Sequence, residues 1–222
     1  MLMICGPSWP DFEFENEDAQ NSFRINDHCI RLANQTKGIN DQIHTIRTAN
    51  SVWDGSLVLA KYLERNQSYL DLSNKSVIEI GAGRGIVGLS CAVLGPKSVV
   101  LTDVEPIIPT LMKSISLNKL SNITASALDW NDNAGINQKF DLILASDVVW
   151  VYELIEPLVF TLKNLTHATS TILLSHQSRS TRADVHLFEL LTQHGFKYEL
   201  IDKSLLDPVI QRDVINIYKI VR

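Results

Sequence analysis

The stretch VIEIGAGRGIVGL, residues 77 to 89, decides the fold. An apolar run comes first, then glycines at alternate positions, then a second apolar run. The first belongs to SVIEI (76–80), short and unbroken, which reads as a buried strand. The second opens IVGLSCAVLG, a helical run that stops at Gly95-Pro96. A strand that enters a glycine turn and leaves as a helix brings backbone close to a ligand. Gly81 turns the chain off the strand, Gly83 leaves space for a ligand against the backbone, and Gly85 lets the helix start pack closely. The spacing is G-x-G-x-G. Ile86 stands where the G-x-G-x-x-G fingerprint of dinucleotide sites has its third glycine. The pattern suits a smaller, less anionic ligand than a pyrophosphate.

Two acids flank this turn. Asp103 closes the next apolar run, SVVLTD, 22 positions after Gly81. A carboxylate at the end of that second strand can accept hydrogen bonds from ribose hydroxyls. Glu79, two positions before Gly81, is expected to share the sheet face of the turn's entry. The bland alternative is a tight turn that holds nothing.

Outward from the turn, strands and helices alternate. IIPTLMKSISLNKL reads as a helix with Pro109 tolerated in its first turn. ITASALDW and FDLILASDVV read as strands, with the polar loop NDNAGINQK between them. ELIEPLVFTLKNL (Pro157 near its start) and DVHLFELLTQHG read as helices, and TILLSHQ, FKYELI and VINIYKIVR as strands. Upstream, Ser51 is expected to cap a mostly apolar helix through Val52, Trp53, Leu57 and Leu63. FRINDHCIRL and DQIHTIRT read as short extended segments, and the acidic, aromatic residues 1 to about 20 as a loosely ordered arm. Such alternation predicts an α/β fold with a mostly parallel sheet and helices on both faces. The expected organisation is an N-terminal extension over 1–50 and one domain over 51–222.

Composition narrows the function classes. At 222 residues the chain suits one well-buried domain, and 45% hydrophobic with 20% charged residues is an ordinary globular balance. A net charge of −5 and a pI near 5.7 disfavour nonspecific nucleic-acid binding, which needs a basic footprint. No stretch reaches the length of a membrane span, and the acidic start is the wrong order for a secretory signal. Cys5, Cys29 and Cys91 form neither a disulfide framework nor a zinc pattern. Reduced thiols fit a cytoplasmic or nuclear protein. The histidines show no ligand spacing, so no metal site is expected.

Read in order, VWDGSLVLAKYLE, VIEIGAGRGIVGL, VVLTDVE, LDW and FDLILASDVVW resemble the class I, seven-β-strand methyltransferases. More closely, they are similar to the methyltransferase-like family 16 group of protein-lysine methyltransferases. The resemblance runs from about Ser51 to Leu165 and weakens toward the C-terminus. It implies a Rossmann-like seven-stranded fold and S-adenosylmethionine as cofactor. It places Trp53 beside the cofactor and Gly81, Ala82 and Gly83 under its methionine part. It makes Asp103 the ribose ligand, sets Trp130 beside the adenine and puts Ser146 at the methionine end. It places Asp147 at the mouth of the substrate channel, opening a D-x-x-Y motif. Here the motif reads DVVW, so Trp150 replaces the tyrosine, with Tyr152 nearby in another register.

The chemistry fits those residue types. A lysine must arrive uncharged, against an ordinary pKa near 10.4, and a narrow apolar channel lowers that value by desolvation. Asp147 can orient the amine, and an aromatic face at Trp150 or Tyr152 can hold an ammonium by cation–π attraction. Asp147 can equally cap the helix that follows it, and Trp53 and Trp130 can be core tryptophans. In SHQSRSTR, His176 can touch substrate, and Arg179 and Arg182 can meet an acidic protein surface; the alternative is a solvated loop. The family resemblance implies a folded cytosolic protein substrate of elongation-factor or chaperone type, and the small acidic arm and absence of a substrate domain suggest a monomer. The altered DVVW keeps another nucleophile open (arginine, histidine or a small molecule), and a scaffold that binds cofactor without turnover stays open because the loop, Asp103 and Trp130 speak only to binding. A nicotinamide oxidoreductase is disfavoured by the glycine spacing.

Overall fold

The computed structural model describes residues 12–13, 21–33, 48–49, 51–132 and 136–222. Most of the acidic arm and of DQIHTIRT lies outside the described residues.

The chain builds two sheets. The smaller is three-stranded: β1 (Phe12–Glu13), β2 (Asn21–Ile25) and β3 (His28–Leu32), all antiparallel. Phe12 and Glu13, expected in a loose arm, pair with Phe23 and Ser22. The β2–β3 turn places Asn26 at φ 48°, a left-handed conformation that asparagine tolerates. Phe23, Ile25, Ile30 and Leu32 are buried in the same core as the first helices of the main domain.

That domain begins with α1 (Asp54–Arg65) and a short α2 (Gln67–Leu70). Strand β4 (Ser76–Ile80) leads through the glycine turn into α3 (Ile86–Val93). β5 (Ser98–Asp103), α4 (Ile108–Asn118), β6 (Ile123–Ala127) and β7 (Phe140–Ser146) follow. Then come α5 (Ile155–Leu165), β8 (Thr166–Gln177), α6 (Thr181–Gln193), β9 (Lys197–Leu200) and β10 (Ile215–Val221).

The large sheet has the order β6-β5-β4-β7-β8-β10-β9. β4 pairs in parallel with β5 and β7, as do β5 with β6 and β7 with β8. β10 runs antiparallel to both its neighbours. The sheet is therefore mostly parallel and seven-stranded, as expected. β7 is almost wholly buried, which explains why FDLILAS is a continuous apolar run rather than an alternating one. Strand order reverses beside β4, and such a switch point opens a crevice at the strand C-termini.

The first helix departs from expectation. It starts at Asp54, with Trp53 in the capping position and no side-chain cap from that residue; Ser51 lies outside it. The run from Gly55 to Leu63 is buried on every face, packed against α3 and β8. Burying Leu57, Leu59 or Leu63 contributes about 1.5–3 kcal/mol each relative to exposure. β8 also begins earlier than TILLSHQ, at Thr166. His176 and Gln177 belong to that strand and Arg182 to α6, so only residues 178–180 of SHQSRSTR form the connection. Ser180 caps α6 by accepting the Ala183 amide. Among the described residues no helix is long and apolar enough to cross a membrane.

Candidate active site

The switch point holds a cavity of about 270 Å³. Its floor is the glycine turn. Gly81, Gly83 and Gly85 have φ of 61°, 54° and 82°, all left-handed, and Gly85 occupies the capping position of α3. At Gly83 the space taken from a side chain goes to the chain itself. A Cβ there would stand 2.8 Å from the Ala49 carbonyl oxygen. The sequence reading gave that space to a ligand. In the structure residues 48–49 close over the turn, and Thr48 and Ala49 line the cavity.

Asp103 ends β5 and holds the turn's shape. Its Oδ2 accepts the Gly83 amide at 2.8 Å and its Oδ1 the Val104 amide at 2.8 Å. Burial raises its pKa, and the two amides oppose that rise. Each oxygen keeps a second lone pair for a hydroxyl, and the residue lines the cavity.

Trp130 closes one side. Its ring packs beside the position where a Gly81 Cβ would stand, 3.3 Å from it, with Val148 on the other side at 2.8 Å. Trp53 also lines the cavity and donates its indole N–H to the Thr48 carbonyl at 3.0 Å. At the end of β7, the Ser146 hydroxyl meets the Ser56 hydroxyl at 2.9 Å.

Asp147 follows, with φ 52° and its carboxyl almost wholly buried. Oδ2 accepts the Gly55 amide at 3.0 Å, Oδ1 accepts the Gln177 amide at 3.3 Å, and Arg179 Nη2 stands 3.8 Å from Oδ1. Burial raises the pKa of Asp147; Arg179, the two amides and His176 pull it back. The expected cap for the following helix is therefore not its role. It serves the first turn of α1 instead, where four amides lack partners within the helix.

The structure brings Trp53, Gly81, Ala82, Gly83, Asp103, Trp130, Ser146, Asp147 and Trp150 around this one cavity. Glu79 is not among them. Its carboxyl is buried, and Oε2 accepts the Gly88 amide in α3 at 2.7 Å, away from the cavity. Burial pushes its pKa up to about 8, so the group is largely neutral at pH 7. It satisfies an unpaired amide of α3 rather than facing a ligand. His176 does not line the cavity either; it is buried, and Nε2 bonds Asp184 at 2.8 Å.

Sequence reasoning missed Ser56, Leu128, Asn131, Val148 and Leu154, which also line the cavity. It missed the role of Arg84 as well. That guanidinium is buried, and Nη2 donates to the carbonyls of Leu32 and Ala33 at 3.3 and 2.9 Å, tying the glycine turn to the N-terminal hairpin. Burial lowers its pKa to about 10, which leaves it charged at neutral pH.

A glycine-floored cavity at the switch point, with a strand-end carboxylate and an indole at its wall, defines a class I S-adenosylmethionine-dependent methyltransferase. The remaining lone pairs of Asp103 and the indole of Trp130 on the same cavity fit that cofactor. Solved structures share the fold. The ribosomal protein L11 methylase of Lactobacillus delbrueckii subsp. bulgaricus superposes with a TM-score of 0.56 at 17% identity, over 76% of this chain and 77% of that one. Human N-acetylserotonin methyltransferase in complex with SAM superposes with 0.56 at 14% identity, over 80% and 55%. The family model described as lysine methyltransferase matches residues 32–194, and the chain belongs to that family. It is 34% identical over 177 residues to EEF1A lysine methyltransferase 3 of Xenopus tropicalis, covering 78% of this chain and 75% of that one. It is 32% identical over 206 residues to protein N-lysine methyltransferase METTL21A of Danio rerio, covering 90% and 86%.

Proposed function

We propose that this methyltransferase methylates a lysine side chain on a folded protein of elongation-factor or chaperone type, acting as a monomer in the cytoplasm or nucleus. The observation that carries the reading is Asp147: a buried carboxylate on the cavity wall, with the aromatic side chains of Trp53 and Trp150 on the same cavity. A cationic amine is the ligand such a group receives. Membership of the lysine methyltransferase family and the protein substrates named for its relatives support it.

S-adenosylmethionine supplies a methyl group on a sulfonium, already activated for transfer. The chain's residues bind, orient and desolvate. Gly81, Ala82 and Gly83 would underlie the methionine part, Asp103 would take the ribose hydroxyls, and Trp130 would pack beside the adenine. Trp53 and Ser146 would border the methionine end. Asp147 accepts a hydrogen bond from the incoming amine and directs the nitrogen lone pair inward. The aromatic wall, with Trp150 in the place of a tyrosine, lowers the amine's pKa by desolvation, so the ammonium gives up its proton to solvent as it enters the channel. The neutral nitrogen would then be the acceptor of the methyl group that the cofactor would supply, its surplus proton would pass to solvent, and no dedicated base is needed. The catalytic residues of this reading are Asp147 and Trp150.

The test is incubation with labelled cofactor and cell lysate, followed by mapping of the modified residue by mass spectrometry. One or a few proteins marked on lysine support the reading. Label on arginine, on histidine or on small molecules overturns it, and tight cofactor binding without any label makes the protein a scaffold.

A further inference from the structure

Arg179 lies on the three-residue connection between β8 and α6. Its guanidinium carbon stands 4.9 Å from the centre of the Trp53 ring, a cation–π distance. Its Nη2 is 3.8 Å from Asp147 Oδ1 and 3.4 Å from Gln177 Oε1. The guanidinium therefore engages, beside the cavity, the same carboxylate and one of the same aromatic faces that are read to receive the acceptor ammonium. Its hold is loose. The Asp147 distance is that of an ion pair without a hydrogen bond, and the Gln177 contact is at the long limit. Asp147 is meanwhile fixed from behind by two backbone amides and does not depend on Arg179 for its place.

A second guanidinium flanks the same rim. Arg182 stacks 4.4 Å over Tyr152, which in turn stacks on His186 at 4.9 Å. The acid of this segment, Asp184, is already engaged by His176 and Ser178. Two arginines thus border DVVWVY, with the neighbouring carboxylate committed elsewhere.

We propose that Arg179 is a stand-in cation that the substrate lysine displaces, and that the displaced guanidinium then pairs with a carboxylate beside that lysine, so that the enzyme selects acid-flanked lysines. The inference rests on the lysine reading above. Arg179 is a specificity residue in it and takes no part in the chemical step. Arginine suits this task because its planar fork meets a carboxylate with two hydrogen bonds and also stacks on indole.

The experiment compares the wild type with Arg179→Glu and Arg179→Gln in the lysate-labelling assay, mapping each modified lysine and its neighbours. The wild type is expected to mark lysines with Asp or Glu adjacent in sequence or on the folded surface. Arg179→Glu is expected to lower labelling of those sites about tenfold relative to other lysines, since like charge now faces like charge. For the main marked protein, Arg179→Gln is expected to raise KM while kcat holds or rises, because a competitor is lost with the anchor. A cofactor-induced rise in Tm shows which variants are folded, and Arg179→Gln carries the test if Arg179→Glu is not. Marked lysines without acidic neighbours overturn the proposal. So does an unchanged site pattern in both variants, or a fall in kcat at constant KM. Wild-type label on residues other than lysine sinks the lysine reading itself, a distinct outcome.

Discussion

Asp147 and Gly55 stand 92 positions apart in the chain, yet the carboxylate of one caps the amide of the other at 3.0 Å. A Cβ on Gly55 would lie 2.4 Å from Asp147 Oδ2 and 3.1 Å from the Ser175 hydroxyl. The glycine of VWDG and the aspartate of SDVVW are therefore one unit. Together they join the start of α1 to the end of β7 at the cavity wall.

Gly55→Ala is expected to push the Asp147 carboxylate out of position. Overpacking of this kind costs about 1–3 kcal/mol. Methyl transfer should fall at least tenfold, while the cofactor still raises Tm, because Asp103 and the glycine turn are untouched. Paired transfer assays and thermal melts check this. Loss of the Tm shift along with activity would contradict it.

Asp103→Ala is expected to abolish the rise in Tm that S-adenosylmethionine or its demethylated product produces. The variant removes the acceptor of the Gly83 and Val104 amides as well as the read ribose ligand. Each unsatisfied amide costs about 1–3 kcal/mol where it stays dry, so a lower starting Tm should accompany the lost shift. NAD should shift neither protein.

Glu79 makes stability depend on pH in a defined direction. Its carboxyl is held protonated in the folded state up to about pH 8, against an ordinary value of 4.5. The folded state then binds one more proton than the unfolded state between those limits. Its contribution is complete below pH 4.5 and is lost as pH rises toward 8, with a slope of at most about 1.4 kcal/mol per pH unit. Glu79→Gln keeps an acceptor for the Gly88 amide and removes the titration. Urea unfolding at pH 6 and pH 8 should show a smaller loss of stability in the variant than in the wild type.

Much of this was legible in the sequence, and the reasons are local. A buried strand, a glycine turn and a helix fall within the eighteen residues from Ser76 to Val93, and the next strand ends at Asp103, so the turn and that acid were legible from spacing alone. The order of later elements followed from the alternation of apolar runs. What stayed hidden depends on tertiary register. Nothing near Gly55 in the chain announces Asp147, and Arg84 sits inside the glycine motif yet spends its charge on carbonyls of Leu32 and Ala33. Glu79 was placed on the cavity face by alternation along the strand. A single amide of α3, that of Gly88, took its carboxyl instead. The helix start was set too early for the same reason, since its first-turn amide is met by Asp147, just past the end of β7, and not by Ser51.

Arg84→Met is expected to leave the Leu32 and Ala33 carbonyls without that donor. A loss of about 1–3 kcal/mol per buried acceptor left dry is the scale. Urea unfolding should show it, and cofactor affinity should fall with it because the glycine turn loses its anchor. An unchanged unfolding midpoint would contradict the role given to this residue.

The hairpin that Arg84 grips also couples the two ends of the site's scaffold. Its strands enter the core beside α1 and α3, and its carbonyls complete the far side of the cofactor turn. Amide exchange in residues 81–85 should therefore slow only once residues 21–33 have docked. A chain whose first strands are misplaced is therefore expected to hold the cofactor less tightly, so that ligand affinity reports on the docking of the N-terminal segment.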